Sequence, residues 1–195
     1  MFILYAVIIG LLWSYLRKGR IRYLTDRPIK WKGLAIGAFG IQLVIFSDLP
    51  FVSAFSQSLL AACHILSYVM ILIFVFLNRR DLGICILGIG VLLNFIAILS
   101  NGGYMPTTAE NLRMTSMAEH ADALEQGKVS NNSVAMTGET LFPFLSDIFV
   151  LPAWLPLSNV FSIGDVLIGI GVCIYLIRNM QPPISEKKPK KERLL

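Results

Sequence analysis

Five long apolar runs constrain this chain more than any other feature of its sequence. They cover about residues 1–16, 33–46, 59–77, 82–99 and 161–177. Each is near the ~20 apolar residues with which an α-helix crosses a bilayer. Only 15% of the 195 residues are charged, whereas soluble domains carry about 25%. The sequence therefore predicts an all-α integral membrane protein with five transmembrane helices.

The basic residues predict how these helices are oriented. Of the 17 Lys and Arg residues, seven lie in residues 17–32, two follow the third run, and six lie at Arg178 and in the tail beyond it. The segment 101–160 holds only Arg113 and Lys128. Because Lys and Arg accumulate in cytoplasmic loops, we expect a multi-pass protein of the cell membrane with its N-terminus outside and its C-terminus in the cytoplasm.

The same patterns divide the chain into a membrane domain and a tail. Residues 1–180 form the predicted membrane domain, in which residues 101–160 make an extracytoplasmic cap. Residues 181–195 are basic and of low complexity, and they are predicted to be a disordered cytoplasmic tail. The first run is not interpreted as a signal peptide, because basic residues follow it instead of preceding it.

Two segments of the predicted cap have patterns of their own. Apolar residues recur at helical spacing over residues 109–126, and Gly127 follows them, which predicts one amphipathic helix. Residues 141–157 are also apolar, but three prolines interrupt them. Because proline breaks a helix interior, we expect this second segment to be interfacial or re-entrant.

Glycine residues mark turns and close contacts. In Asn101-Gly-Gly-Tyr-Met-Pro106, the glycines permit backbone angles closed to other residues and the proline cannot continue a helix. We expect Gly102, Gly103 and Pro106 to form a hinge between the helices and the cap, with Gly164 at the return. Other glycines would let neighbouring helices approach closely, namely Gly33, Gly37, Gly40, Gly83, Gly88, Gly90, Gly169 and Gly171.

Polar residues near the outer ends of the predicted helices form the candidate ligand-binding site. Such side chains inside a membrane tend to face the protein interior or water. The predicted topology places these residues in the outer half: Asp48, His64, Asn94, Asn101 and Asp165, with Asp147 joining them from the cap and Arg113 as their counter-charge. Two interpretations stay open, namely hydrogen bonds that only fix the bundle or a small polar pocket that opens outward.

Several classes of function have no support in the sequence. The chain has only two histidines, and its three cysteines lack C-x-x-C spacing, so neither a metal site nor a disulfide framework is expected. It has no nucleophile motif and no phosphate-binding loop, so we assign no catalytic residue and no cofactor. The basic residues behind the net charge of +5 lie in short blocks beside the apolar runs, which indicates topology and not nucleic-acid binding.

The sequence favours a non-enzymatic accessory or scaffold component that binds a lipid or a partner membrane protein at its outer face. The first alternative is a small transporter or channel that uses the outer polar residues. The inner half has few polar residues, Gln42 being somewhat deeper than the rest, which counts against transport. The second alternative is an intramembrane enzyme acting on a lipid-linked substrate. For residues 17–32 we favour a plain cytoplasmic loop, and contact with anionic lipid stays open as an alternative there and for the C-terminal tail.

Two blocks of sequence carry a resemblance to a known group of proteins. Asn101-Gly-Gly-Tyr-Met-Pro106 and Ser162-Ile-Gly-Asp165 resemble the marker blocks of a bacterial family of small polytopic membrane proteins of unknown function. The resemblance covers most of residues 1–180, although that family often has glycine at the position of Ser146. It implies a protein of the bacterial cytoplasmic membrane, and it implies no activity, substrate or cofactor.

Overall fold

A computed structural model describes residues 2–47 and 49–182, and these residues are mostly helical. The described helices are α1 (Phe2–Leu16), α2 (Arg22–Thr25), α3 (Lys32–Ile45), α4 (Gln57–Leu77), α5 (Leu82–Ser100), α6 (Ala109–Arg113), α7 (Ala118–Glu125) and α8 (Ile163–Asn179). The described strands are β1 (Met105–Thr107), β2 (Ser133–Ala135), β3 (Phe149–Leu151) and β4 (Asn159–Phe161). Short 3-10 turns lie at Val52–Ala54 and Pro143–Leu145.

The five predicted apolar runs all form helices, namely α1, α3, α4, α5 and α8. Their ends lie within two residues of the predicted boundaries. Within the described residues, α4 and α5 are long and apolar enough to cross a membrane. Helices α1 and α3 are apolar but have only 15 and 14 residues. The helical structure of the runs is confirmed, whereas the number that cross a membrane stays a prediction.

The long helices pack side by side in the order α3, α4, α5, α8 and α1. Between α5 and α8 the two backbones meet at glycines. A Cβ on Gly90 would overlap the carbonyl oxygen of Gly164, and a Cβ on Gly171 would overlap the backbone nitrogen of Leu87. Small residues of this kind let two helices approach closely. This contact fixes the start of α8 beside the second half of α5.

The glycines of α3 correct one of the expectations. A Cβ on Gly33 or Gly40 would meet no atom of the described residues within 4 Å, and one on Gly37 would meet only the end of the Met70 side chain. The reason lies in the order of the helices, because α3 stands at the edge of the row with α4 as its neighbour. These glycines therefore do not bring two helix backbones together.

Residues 101–160, called the cap below, pack on the end of the row where α5 ends and α8 begins. Met105 and Leu145 of the cap are buried against Ala97 and Ile98 of α5. The Tyr104 hydroxyl donates to the carbonyl oxygen of Gln57, at the start of α4, at 2.9 Å. We call this the cap end of the bundle.

The prediction of one amphipathic helix over residues 109–126 is wrong, because the segment forms two helices. Helix α6 ends at Arg113 and α7 begins at Ala118. Between them, the Thr115 hydroxyl donates to the Leu112 carbonyl at 2.7 Å and accepts from the Met117 backbone nitrogen at 3.0 Å. A hydroxyl that bonds nearby backbone groups offers the chain an alternative to helix. Of the predicted apolar stripe, Ala121 and Leu124 pack inward with Leu112 and Val160, whereas Met114 is exposed.

The expectation of an all-α chain is also corrected, because the cap contains two small sheets. Strands β1 and β2 pair in parallel, and β3 pairs with β4 in antiparallel register, with Phe149 opposite Phe161. The segment 141–157 therefore holds a 3-10 turn and a strand. Its prolines prevent a long helix, and the extended residues between them bond to β4 instead.

The opposite end of the row, called the basic end, gathers the connections between α1 and α3 and between α4 and α5, together with the end of α8. The Arg20 backbone nitrogen donates to the Met180 carbonyl at 2.8 Å. The Asn179 side chain donates to Oδ2 of Asp81 at 2.8 Å. Most of the predicted tail, from residue 183 onward, lies outside the described residues.

Candidate functional site

The first turn of α8 builds the centre of the site. Ser162 and Asp165 form a capping box, in which Oγ of Ser162 accepts from the Asp165 backbone nitrogen at 3.0 Å. In return, Oδ2 of Asp165 accepts from the Ser162 backbone nitrogen at 3.1 Å. A reciprocal cap of this kind satisfies backbone donors at the start of a helix. It also holds both side chains in one orientation.

Asn94 of α5 completes a closed ring of hydrogen bonds with this cap. Its Nδ2 donates to Oδ1 of Asp165 at 2.9 Å, and its Oδ1 accepts from the Ser162 hydroxyl at 2.7 Å. A Cβ on Gly164 would overlap Oδ1 of Asn94. The absence of a side chain at Gly164 is therefore what lets the amide reach α8.

Asp147 of the cap adds a second carboxyl group beside this ring. Its backbone nitrogen donates to the Pro106 carbonyl at 3.0 Å, and its carbonyl accepts from the Thr107 hydroxyl at 2.8 Å. The side chain is buried, and Oδ1 has no hydrogen-bond partner among the described residues. Burial first, and then the charge of Asp165, raises the pKa of Asp147 well above its ordinary value.

Tyr68 of α4 lies against the same cluster. Its side chain interacts with Asn94, and the charges of both Asp165 and Asp147 act on its hydroxyl group. Within the described residues the ion pairs join Arg113 to Asp122 and Glu125, so no lysine or arginine pairs with buried Asp147 or half-buried Asp165. The cluster is therefore acidic, polar and shared by three helices and the cap.

The structure brings some of the predicted site residues together and separates others. Asn94 and Asp165 touch, as described above. His64 instead donates from Nδ1 to the Gly103 carbonyl at 2.7 Å and packs edge-on against Tyr68. Such a bond ties α4 to the turn that leads into the cap.

Two further predicted residues, Asn101 and Arg113, lie apart from the buried ring. Asn101 accepts at Oδ1 from the Leu141 backbone nitrogen at 3.0 Å and donates to the Leu141 carbonyl at 2.9 Å, so it fastens one cap loop. Arg113 bonds Asp122 and Glu125 at 2.8 Å on the cap surface and does not act as the counter-charge. Asp48 lies outside the described residues.

The proposed hinge residues have the backbone that their sequence indicates. Gly102 and Gly103 have φ angles of +73° and +92°, which only glycine adopts readily. A Cβ on Gly103 would also lie 2.6 Å from the Cβ of Ala61. Pro106 receives the hydrogen bond from Asp147. The turn is tightly held in this structure, and movement about it stays a prediction.

Tyr68 is the member of the cluster that the sequence analysis missed. It follows His64 by four residues, and side chains at that spacing share a helix face. That signal was available, but a tyrosine in an apolar helix is most simply a packing residue. Its proximity to Asn94 depends on how α4 and α5 pack, which no local pattern encodes.

The cluster can hold a proton or a small cation between its two carboxyl groups, because like charges at close range disfavour simultaneous ionisation. The described residues contain no group of three His, Cys, Asp or Glu side chains suited to a metal ion. Among them, the Ser67 hydroxyl donates to the backbone carbonyl of His64 and not to its ring, and Nδ1 of the ring is held by the Gly103 carbonyl. The arrangement thus resembles an ion or proton site more than a nucleophile and its base.

A separate cavity of about 550 Å³ lies at the cap end, between α3, α4 and the cap. Its described lining residues are mostly apolar, with a few uncharged polar groups: Ile45, Phe46, Ser47, Leu49, Pro50, Val52, Gln57, Leu60, Tyr104, His120, Val129 and Asn131. His120 is held in place by its Nδ1 contact with the Ser130 hydroxyl at 2.7 Å. The cavity has the size and the apolar lining of a small-molecule site.

Comparison with known proteins identifies the family of the chain but no activity. The family model of unknown function DUF5317 matches residues 26–177. An uncharacterised protein of Thermotoga maritima is 30% identical over 114 residues, which cover 57% of this chain and 61% of that relative. No solved structure matches the chain. Because the family model covers most of the sequence, the chain belongs to the DUF5317 family of unknown function.

Proposed function

We propose that this chain is a five-span membrane protein, with its N-terminus outside and its C-terminus in the cytoplasm, and that it is a non-enzymatic binding component. Its ligand is a lipid, which enters the cavity between α3, α4 and the cap. The observation that carries the proposal is the apolar cavity of about 550 Å³ at the cap end.

Membrane insertion is supported by apolar side chains that point away from the bundle. Each long helix exposes at least two of them, including Leu12, Leu16, Ile36, Phe39, Leu43, Leu66, Phe76, Ile89, Leu99 and Ile170. Soluble proteins rarely expose contiguous apolar patches larger than a few hundred Å². Lipid tails would remove this surface from water at all five helices. The short helices α1 and α3 fit if the bilayer thins locally or flanking residues reach the interface.

The orientation is supported by where the charges lie in the structure. Every Lys and Arg of the described residues except Arg113 and Lys128 lies in the loops and helix ends of the basic end. The positive-inside rule places such an end in the cytoplasm. The cap, and with it the cavity, is then on the outer face.

The shape and lining of the cavity favour a lipid over a protein partner. Protein interfaces bury about 800 Å² per partner on a broad surface, whereas this cavity is concave and small. Phe46, Val52 and Leu60 offer an apolar wall, and His120 and Asn131 offer polar groups beside it. An acyl chain or isoprenoid with a small polar end matches this combination.

The buried acid pair favours a second candidate, a small transporter coupled to protons or cations. Its specific support is Oδ1 of Asp147, which lacks a partner among the described residues. Gln42, the deeper of the polar residues, has its side chain bonded to Ser67 at 2.9 Å, so it is not free to line a path inward. That closed contact ranks transport second.

The lipid proposal is tested by filling the cavity. Leu60→Trp places an indole in the cavity, and Leu59→Trp makes the same change on an exposed neighbour at the same depth. Both variants are purified in mild detergent beside wild type, and co-purified lipids are identified by mass spectrometry. We expect one lipid class enriched over the bulk membrane in wild type and Leu59→Trp, and lost in Leu60→Trp. Equal lipid profiles in all three, or loss of a stoichiometric protein instead of a lipid, contradict the proposal.

A further inference from the structure

A second cavity, of about 410 Å³, lies at the basic end, on the opposite side of the bundle from the proposed lipid site. Three parts of the chain line it: the loop between α2 and α3, the turn between α4 and α5, and the last turns of α8. The residues that matter to its chemistry are Arg27, Lys30, Asn78, Arg80, Asp81 and Tyr175. The cavity thus joins sequence-distant groups in one place.

Amide side chains fix the walls of this cavity. Asn78 accepts at Oδ1 from the Lys30 backbone nitrogen and donates from Nδ2 to the Lys30 carbonyl, both at 2.9 Å. Asn179 donates to Oδ2 of Asp81 at 2.8 Å. These bonds hold the loop and the turn in position without a ligand, so the cavity is pre-organised.

The charges of the cavity do not balance. The side chains of Arg27, Lys30 and Arg80 make no hydrogen bond or ion pair within the described part of the chain. Asp81 is the one acid in the lining, and its Oδ1 already caps α5 through the Gly83 backbone nitrogen at 2.8 Å. Of the four basic residues in the lining, Arg79 bonds the Phe76 carbonyl at 2.8 Å, which leaves three cations unpaired within the described lining, whose single carboxylate is engaged elsewhere.

Tyr175 provides an independent observation. Its hydroxyl oxygen is buried and has no hydrogen-bond partner among the described residues, although buried polar groups are nearly always paired. The charge of Asp81 and, to a smaller extent, that of Arg27 act on this hydroxyl in opposite directions. An unpaired donor beside a guanidinium is a place for an acceptor with negative charge.

We infer that this cavity binds a phosphate group, held by Arg27, Lys30 and Arg80 and by the Tyr175 hydroxyl. Guanidinium groups match phosphate oxygens in geometry and charge. Basic pockets between helices on the cytoplasmic side suit anionic lipid headgroups. A free phosphate compound from the cytoplasm has the same chemistry, and the two sources are separated below.

A role of these basic residues in membrane topology alone explains fewer of the observations. Basic residues here also complement the C-terminal dipoles of α4 and α8 and satisfy the positive-inside rule. Neither effect requires a pre-organised cavity or an unpaired tyrosine hydroxyl. The inference goes beyond the proposed function. Among the basic residues of 17–32, for which contact with anionic lipid was considered, it selects Arg27 and Lys30, and it adds Arg80 and Tyr175 from other elements.

The test uses the full chain purified in detergent, with phosphatidylglycerol, phosphatidylcholine and inorganic phosphate as probes. Native mass spectrometry measures lipid affinity, and thermal unfolding at constant ionic strength measures the effect of phosphate against chloride. Arg27→Gln/Arg80→Gln removes two cavity charges. Arg17→Gln/Arg20→Gln removes two exposed charges from the same end without touching the cavity lining. Tyr175→Phe removes only the hydroxyl and no charge.

We expect the cavity double variant to weaken binding roughly 10-fold, the exposed double variant to change it by less than about 2-fold, and Tyr175→Phe to weaken it about 5-fold. If phosphatidylglycerol binds better than phosphatidylcholine and phosphate has no effect, the phosphate belongs to a lipid. If phosphate stabilises the protein and the two lipids bind equally, the ligand is a free phosphate compound. Equal losses in the two double variants with none in Tyr175→Phe, or no binding of any probe, overturn the inference. The loss of lipid from the cap-end cavity in Leu60→Trp is a separate measurement, so the lipid proposal and the phosphate inference can fail independently.

Discussion

Asn94 on α5 and Asp165 on α8 share a hydrogen bond of 2.9 Å beside one of the close contacts between the two helix backbones. The amide also accepts from Ser162, so one side chain satisfies both members of the α8 cap. The bond is possible because Gly164 and Gly90 carry no side chain that would occupy the contact between the helices. The polar ring and the glycine contact therefore support each other.

Replacing Asn94 should cost more than replacing a residue in a single interhelical bond. Asn94→Ala leaves the Ser162 hydroxyl and Asp165 without their shared partner, and unsatisfied buried polar groups cost about 1–3 kcal/mol. Gln42→Ala removes one bond to Ser67, and such bonds in membranes average about 0.6 kcal/mol. We expect a clearly larger drop in the unfolding midpoint in detergent for Asn94→Ala. Equal drops would show that the ring contributes no more than one ordinary contact.

Asp147 should make stability depend on pH. Burial and the charge of Asp165 raise its pKa in the folded protein, so folding favours the neutral form. That contribution is complete below the unfolded pKa of about 3.9 and is lost as the pH rises through the folded pKa. We expect the unfolding midpoint to fall as the pH is raised from about 4 towards neutrality and above.

Asp147→Asn should flatten this profile and raise stability at the high-pH end, because a neutral amide replaces the carboxyl group. The matched control is Asp122→Asn, which changes an exposed carboxylate of the same cap that pairs with Arg113. The control should keep the wild-type pH dependence. If both variants follow wild type, Asp147 does not titrate in the way its burial indicates.

Glycine spacing shows what the sequence could and could not predict. The runs of apolar residues were sufficient to predict all five long helices, because helix length and hydropathy are local properties. Gly33, Gly37 and Gly40 of α3 were expected at a close helix contact in the same way as the glycines of α5, yet none of them meets another backbone, whereas Gly83 and Gly90 meet the backbone of α8. Which helix stands beside which depends on the whole row, so spacing alone does not identify the contact.

The candidate site also contains residues whose proximity the sequence predicted and one residue whose position it did not predict. Asn94 and Asp165 were expected in one half of the bundle, and the structure brings them together. Arg113 was expected beside them, but the break at Thr115 folds α7 back so that Arg113 pairs with Asp122 and Glu125. A hydroxyl competing for backbone bonds redirects the chain at that point, and a periodic apolar pattern does not show it.

Gly90, which meets another helix backbone, and Gly40, which meets open space, should respond differently to replacement by alanine. Gly90→Ala places a methyl group against the Gly164 carbonyl, and overpacking of this kind costs about 1–3 kcal/mol. Gly40→Ala meets open space and gains up to about 1 kcal/mol of helix propensity. Thermal unfolding in detergent should show a lower midpoint for the first and an unchanged or higher midpoint for the second. The reverse order would contradict the close packing of α5 on α8.

The proposed orientation is open to a direct measurement with reporter fusions. Alkaline phosphatase fused after residue 130 follows the fourth long helix and sits in the cap, whereas fusion after Arg80 follows the third and sits at the basic end. Because the enzyme is active only after export, we expect high activity for the first fusion and background activity for the second. A cytoplasmic reporter such as β-galactosidase at the same two sites should give the opposite pattern. High phosphatase activity at residue 80 with none at residue 130 would show the opposite orientation. The cap cavity would then lie on the cytoplasmic face and the phosphate site on the outer face.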